Sequence, residues 1–259
     1  MTTTLITGAS SGIGEAFANT LAAKGNDLIL VARSQDKLQA IAQRLHSQHD
    51  IRTEVIVQDL AHPDGASTVF QKVNSLGIVV DVLINNAGFG DYGAFGESDR
   101  TKQLDMIRLN ILTLTDLTHL FLPNMVTQKS GHIINIASIA AFQPMPYLSV
   151  YAATKAFVLS FSEALWAEVK ADGIKVLALC PGPTDTQFFQ VANFSDTMSY
   201  QAPQMMTSDA VVQEALKAMD AEAPSLVNGG PLNQLIVNLP RFMPRAAIVN
   251  LLEKQFRSS

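Results

Sequence analysis

One cysteine, Cys180, among 259 residues leaves no partner for an internal disulfide. That usage suits a reducing, cytoplasmic compartment. Cys180 ends a buried-looking strand just before Pro181, the setting of an inert core thiol rather than a nucleophile. Basic charge is scarce as well: 18 lysines and arginines against 23 acids give a net charge of −5. With no basic face, nucleic acid is not expected as a partner. No uninterrupted apolar run is long enough to span a bilayer. The first residues already read as a strand, so no cleavable leader is expected. The histidines at 46, 49, 62, 119 and 132 show no ligand spacing beside cysteine or acid pairs, so no metal site is expected. No Pro/Ser-rich linker, charge block or repeat cuts the chain, and one domain over residues 1–259 is the simplest organisation.

What is present is an ample apolar reserve, 47% of the residues, set out as strand-like runs alternating with helical patterns. That alternation predicts an α/β fold: a doubly wound parallel sheet with right-handed crossovers and helices on both faces. Strands are predicted at 3–7, 27–32, 53–57, 81–84, 132–137, 174–180 and 225–227.

Directly after the first predicted strand comes Thr7-Gly8-Ala9-Ser10-Ser11-Gly12-Ile13-Gly14, and then a helical pattern over 15–24. Glycines in a strand-to-helix turn let backbone N–H groups approach a pyrophosphate at the positive end of the helix. Glycine also serves ordinary turns and caps, so the turn alone decides little. The second strand ends in Ala32-Arg33. A site for NAD usually has an acid there for the ribose 2′-hydroxyl; here neither position is acidic. An arginine would pair with a 2′-phosphate, which favours NADP(H), against the plainer reading of a solvated arginine at a helix start. Asp59, and Asn85 with Asn86, close later strands, where such residues also simply tie down turns.

The richest stretch runs from Ser138 through Tyr151 to Lys155. Tyrosine and lysine four apart share a helix face, with Cβ atoms about 5–6 Å apart. A lysine cation beside the phenol would lower its pKa from about 10, and a serine hydroxyl could steady the same substrate oxygen. That is equipment for exchanging a proton with a carbonyl oxygen.

Together these residues resemble the short-chain dehydrogenase/reductase family, in its TGxxxGIG branch. The likeness runs from Thr7 to about Thr186 through Asp59, Asn85 to Gly88, Asn110, Ser138, Tyr151, Lys155 and Pro181-Gly182-Pro183-Thr184. It implies a Rossmann fold. Gly8, Gly12 and Gly14 would line the pyrophosphate, with Ser10, Ser11 and Ile13 in the same turn, and Asp59 and Leu60 would approach the adenine. Asn86, Ala87 and Gly88 would support cofactor and sheet. Tyr151 would be the general acid in reduction, Lys155 would hold the nicotinamide ribose, and both would face the cofactor. Ser138 would steady the substrate, Asn110 would keep a relay water, and Pro181, Gly182 and Thr184 would shape the nicotinamide end. Where many NADP-preferring members carry a basic residue in the glycine turn, this chain has Ser10 and Ser11. Arg33 is therefore expected to recognise the 2′-phosphate largely alone.

The expected substrate walls are 89–95, 140–150 and 184–206, with Phe89, Phe95, Phe142, Met145, Phe188, Phe189, Phe194, Met198, Met205 and Met206. Between 184 and 206 the only charges are Asp185 and Asp196. Apolar walls without a cation suit a hydrophobic carbonyl or alcohol. Residues 184–206 read as a lid that excludes water. The apolar segment 232–256 reads first as packed on its own domain; substrate cover and subunit contact compete, and a membrane surface ranks last. The helix carrying Tyr151 is apolar nearly all round, which points to a second buried side and, with the family resemblance, to a homodimer or homotetramer. The leading expectation is an NADP(H)-dependent carbonyl reductase or alcohol dehydrogenase. A catalytically silent NADP(H)-binding redox sensor is the alternative. An epimerase or dehydratase fits less well, because those relatives carry a TGxxGxxG turn.

Overall fold

The computed structural model describes residues 2–194 and 205–257. Seven parallel strands form one sheet in the order β3-β2-β1-β4-β5-β6-β7. They are β1 (Thr3–Thr7), β2 (Asp27–Ala32), β3 (Thr53–Val57), β4 (Val82–Asn85), β5 (Gly131–Ile136), β6 (Ile174–Cys180) and β7 (Ser225–Val227). The helices are α1 (Gly12–Ala23), α2 (Gln35–His49), α3 (Gly65–Ser75), α4 (Arg100–Ile107), α5 (Leu114–Gln128), α6 (Ser149–Val169), the single turn α7 (Phe188–Val191), α8 (Ser208–Asp220), α9 (Gly230–Asn238) and α10 (Arg245–Phe256).

Strand alternation sends consecutive apolar residues to opposite faces. Ile6, Leu30, Ile84 and Ile134 meet α1, α2 and α8 through Phe17, Leu38 and Val212. Leu5, Ile29, Leu83 and Ile133 meet α3, α5 and α6 through Val69, Phe121 and Leu165. Both faces are therefore covered, which explains why the strands read as continuous apolar runs. The sheet interior also holds a polar row: Asn85 Nδ2 donates to Thr118 Oγ1 (3.0 Å) and Asn135 Oδ1 (2.9 Å), and Asn135 Nδ2 donates to Ser162 Oγ (2.9 Å). Asn85 thus ties β4 to β5 and α5 inside the sheet layer rather than tying down a turn. Two strands begin one residue away from their predicted bounds, β4 at Val82 and β5 at Gly131.

Strand order reverses between β1 and β4. In an open parallel sheet the crevice outside the carboxyl ends at such a point is where ligands bind. Asn110 lies not in a regular helix but in a π-helical turn, Arg108–Thr113, between α4 and α5. Such turns are local widenings often found at functional sites.

Candidate active site

The carboxyl ends of the strands open into one cleft of about 990 Å³. At one end Gly8, Ser10, Ser11, Gly12 and Ile13 line it. Gly8 and Gly12 hold φ of 65° and 57°, values that L side chains take only under strain. Ser11 caps α1 without a side-chain hydrogen bond. The first helical N–H groups are thus left for a ligand, at the positive end of the helix. Asn86 buttresses the turn, donating from Nδ2 to the carbonyls of Thr7 (2.9 Å) and Gly8 (3.2 Å). Thr7 Oγ1 accepts from the backbone N–H groups of Asn86 and Ala87.

Gly14 lies behind the turn. A Cβ there would fall 2.3 Å from the Gly8 carbonyl oxygen and 2.6 Å from Asn86 Nδ2. Gly14→Ala is expected to push the turn out of place, costing about 1–3 kcal/mol of stability and at least roughly tenfold in dinucleotide affinity. Thermal melting with a binding titration checks this; two unchanged values would remove the close approach from the account of the turn.

Along the same cleft lie Ala32, Arg33, Asp59 and Leu60, and with them Lys37. Lys37 was not singled out from sequence, although it stands four residues after Arg33 and within the first turn of α2. Arg33 thus shares this end of the cleft with a second cation, Lys37. Asp59 Oδ1 accepts from the Ala61 N–H (3.0 Å), and the Leu60 carbonyl accepts from Thr113 Oγ1 (2.6 Å). These bonds fix the loop after β3.

Ser138 follows the end of β5, and its Oγ accepts from the Ala140 N–H at 3.1 Å. Tyr151 and Lys155 face the cleft from α6, both buried. Lys155 Nζ lies 5.8 Å from the Tyr151 ring centroid and donates to the Ile136 carbonyl at 2.7 Å. The expected lowering of the tyrosine pKa is not found. Burial pushes the Tyr151 phenol up to about 12, with a hydrogen bond to Ser138 pulling the other way. Burial also brings the Lys155 ammonium down to about 8. Removing both groups from water outweighs any help from one to the other, because the charged form of each is the one water favours. Cys180 is buried, with its thiol pushed up to about 12 by burial, as an inert core thiol should be.

Asn110 has its side chain committed within the protein. Nδ2 donates to the Phe89 carbonyl and Thr154 Oγ1, both at 3.0 Å, and Oδ1 accepts from the Phe89 N–H at 3.2 Å. A Cβ on Gly88 would stand 2.9 Å from Asn110 Oδ1 and 3.5 Å from Lys155 Nζ, so the loop after β4 passes directly over this pair. Pro181, Gly182 and Thr184 border the cleft after β6. Thr186, also unforeseen, lies 3.1 Å from where a Gly12 Cβ would be.

The apolar end differs in part from expectation. Phe89, Met145, Phe188, Phe189 and Phe194 line it as expected, and Phe188 packs against Tyr151 as a tilted pair, 5.2 Å between centroids. Phe95 and Met205 are instead exposed, Phe142 packs beside Ala141 and Leu159, and Met206 packs in the layer of α1 and α8. Met198 and Asp196, with the rest of residues 195–204, lie outside the described residues. The two ends of the expected lid are joined: Asp185 N–H donates to the Met206 carbonyl and Met206 N–H to the Pro183 carbonyl, at 2.9 and 3.1 Å. The missing wall comes from the C-terminal segment, through Met243, Ile248, Leu252 and Phe256. One face of α10 packs onto Met106, Leu148 and Tyr151. Tyr92 Oη holds the Phe256 carbonyl, and Tyr147 Oη donates to Glu253 at 3.3 Å. Asp91, buried, ties this region together by accepting from Lys102, Gln103 and Asn193. These residues sit far from any recognisable pattern in sequence; only the fold brings them together.

The short chain dehydrogenase family model matches residues 2–196, and the chain belongs to that family of oxidoreductases. A duck (Anas platyrhynchos) very-long-chain 3-oxoacyl-CoA reductase is 32% identical over 256 residues, spanning 96% of this chain and 78% of the relative. Among solved structures, a short-chain dehydrogenase from Sphingobium yanoikuyae in complex with NADPH superposes with a TM-score of 0.83 at 32% identity, covering 100% of this chain and 98% of the other. A bulky-bulky ketone specific alcohol dehydrogenase from Comamonas testosteroni gives 0.78 at 29% identity, covering 95% and 96%. Described helices include none long and apolar enough to cross a membrane, and the described residues hold no cluster of potential metal ligands.

Proposed function

We propose that this protein is an NADP(H)-dependent reductase of hydrophobic carbonyl compounds, with Tyr151 as the proton donor. The observation that carries the reading is the buried Tyr151 beside Ser138 and Lys155, facing a cleft whose other end is an uncapped glycine turn. A nicotinamide dinucleotide fits this cleft, because α1 leaves its N–H groups for a phosphate and Asn86 holds the turn open. Bound there, such a cofactor supplies or accepts hydride. The chain's own residues then divide the remaining work. Gly8, Ser10, Ser11, Gly12 and Ile13 hold the pyrophosphate, and Leu60, Ala87 and Gly88 flank the rest of the cofactor. Ser138 orients the substrate oxygen, Tyr151 gives it a proton, and Lys155 binds the ribose. Asn110 keeps the Phe89 loop in place over Lys155. Phe188, Met145 and α10 exclude water around the reacting carbon.

A phenol held near 12 stays protonated throughout the neutral range, so it serves as an acid for reduction more readily than as a base for oxidation. Ketone reduction is expected to stay level from mildly acid to neutral pH, while alcohol oxidation, which needs the phenolate, climbs steadily with pH towards the alkaline range. Rate profiles in both directions test this; oxidation with its optimum below neutral pH would contradict it.

Arg33 and Lys37 suit a 2′-phosphate. Arg33→Asp is expected to weaken NADPH binding by roughly tenfold to a hundredfold and to leave NADH binding nearly unchanged. Equal losses in the two titrations would take Arg33 off the 2′ site. The exposed side chains of Leu112 and Phe157 support association through the helices on that side; a monomer by light scattering at micromolar concentration would exclude it. The silent-sensor reading is disfavoured because a sensor has no use for a buried phenol aimed at the second, apolar half of the cleft.

A further inference from the structure

The C-terminal segment has two faces, and only one is used by the fold. Val237, Ile248, Leu252 and Phe256 are buried. Leu232, Leu235 and Leu239 recur at helical spacing along α9 and into the turn after it, and Phe242 continues the stripe. These are exposed: Leu232 to 60%, Leu235 to 61%, and Phe242 to 84%. Leu239 and Leu251 are also exposed, yet both line the cleft. The stripe therefore begins at the mouth of the cleft and runs outward.

Charge sets this segment apart from the rest. Residues 230–259 hold four of the chain's 18 lysines and arginines (Arg241, Arg245, Lys254, Arg257) and one of its 23 acids, Glu253. They carry +3, while residues 1–229 carry −8. Glu253 is itself paired with Arg257. Arg241 and Arg245, exposed on either side of Phe242 and Met243, make no ion pair among the described residues.

We propose that this face docks on the surface of an anionic lipid bilayer. An apolar stripe with a basic fringe buries its side chains at the boundary of headgroups and acyl chains, while its cations meet lipid phosphates. A second copy of the chain fits less well, because it would bring two +3 tails together. Docked this way, the mouth at Leu239 and Leu251 opens towards the bilayer, and an apolar substrate can pass from lipid into the cleft without crossing water. That last step rests on the reductase reading; the docking does not.

Flotation of the full chain with phosphatidylglycerol/phosphatidylcholine vesicles tests the docking, with phosphatidylcholine vesicles alone as comparison. Binding is expected to the anionic vesicles and to weaken with salt. Leu235→Asp combined with Phe242→Asp, both at exposed positions outside the cleft, is expected to lower it about a hundredfold. Circular dichroism and turnover of a water-soluble ketone should be unchanged in that variant. Arg241→Glu with Arg245→Glu should abolish the preference for anionic lipid. Absence of binding to anionic vesicles, or binding equal in the aspartate variant, would overturn the proposal. So would a dimer in solution that the aspartate variant converts to monomer while vesicles fail to bind. Flotation without ketone turnover would instead count against the reductase reading alone.

Discussion

Tyr151→Phe is expected to abolish nearly all ketone reduction, lowering kcat by about 10²–10⁴-fold, the range for a positioned proton donor, while NADPH affinity changes little. The change removes one oxygen atom from a buried ring that keeps its contact with Phe188. No cavity is opened, and among the described residues the polar partner disturbed is Ser138, so the fold should remain intact. A loss in kcat without a matching change in dinucleotide binding is the signature of a group acting in the transition state. Steady-state kinetics with a parallel fluorescence titration of NADPH reads both quantities. Retention of most of the turnover would remove Tyr151 from the proton transfer.

Lys155→Met should produce opposite effects on activity and stability. The ammonium is buried, and its pKa falls from 10.5 to about 8 on folding. Folding thus disfavours the protonated lysine. The penalty is in full force below about 8. It is relieved as pH rises from about 8 to 10.5, a range in which the folded protein gives up the proton before the unfolded chain does. The shift corresponds to a cost on the order of 3 kcal/mol at neutral pH, offset in part by the bond to the Ile136 carbonyl, worth about 1 kcal/mol. Methionine fills similar volume without charge, so the variant is expected to gain about 1–2 kcal/mol at neutral pH and to converge on the parent as pH approaches 10. Turnover should fall by at least about a hundredfold, because the ribose loses its anchor. Denaturant melts at several pH values settle the sign. A variant less stable than the parent at neutral pH would show that the lysine's hydrogen bond outweighs its burial cost.

The parts of the fold and site that were legible in the sequence are those with local patterns. Buried parallel strands read as apolar runs, and glycines announce themselves where a turn permits nothing else, as at Gly8 and Gly12. Tyr151 and Lys155 are four apart on one helix, so their shared face follows from helical geometry alone. Their ionisation did not follow, because desolvation depends on what covers them: Phe188 and α10, both distant in sequence. The apolar wall failed in the same way. Phe95 and Phe142 have the composition of a lining residue but turn outward or into another layer, while Ile248 and Leu252 arrive from the far end of the chain. Lys37 carried a weak signal, a second basic residue in the first turn of the helix that follows Arg33. Composition did not separate the two faces of the C-terminal segment; only the structure shows one buried and the other exposed.

The reductase reading is tested most directly by following deuterium from C4-deuterated NADPH into product, over a panel of hydrophobic ketones and long-chain 3-oxoacyl thioesters. The expected result is label on the new carbinol carbon for at least one apolar substrate, absent with Tyr151→Phe. Tight NADPH binding with no labelled alcohol from any member of the panel would contradict it.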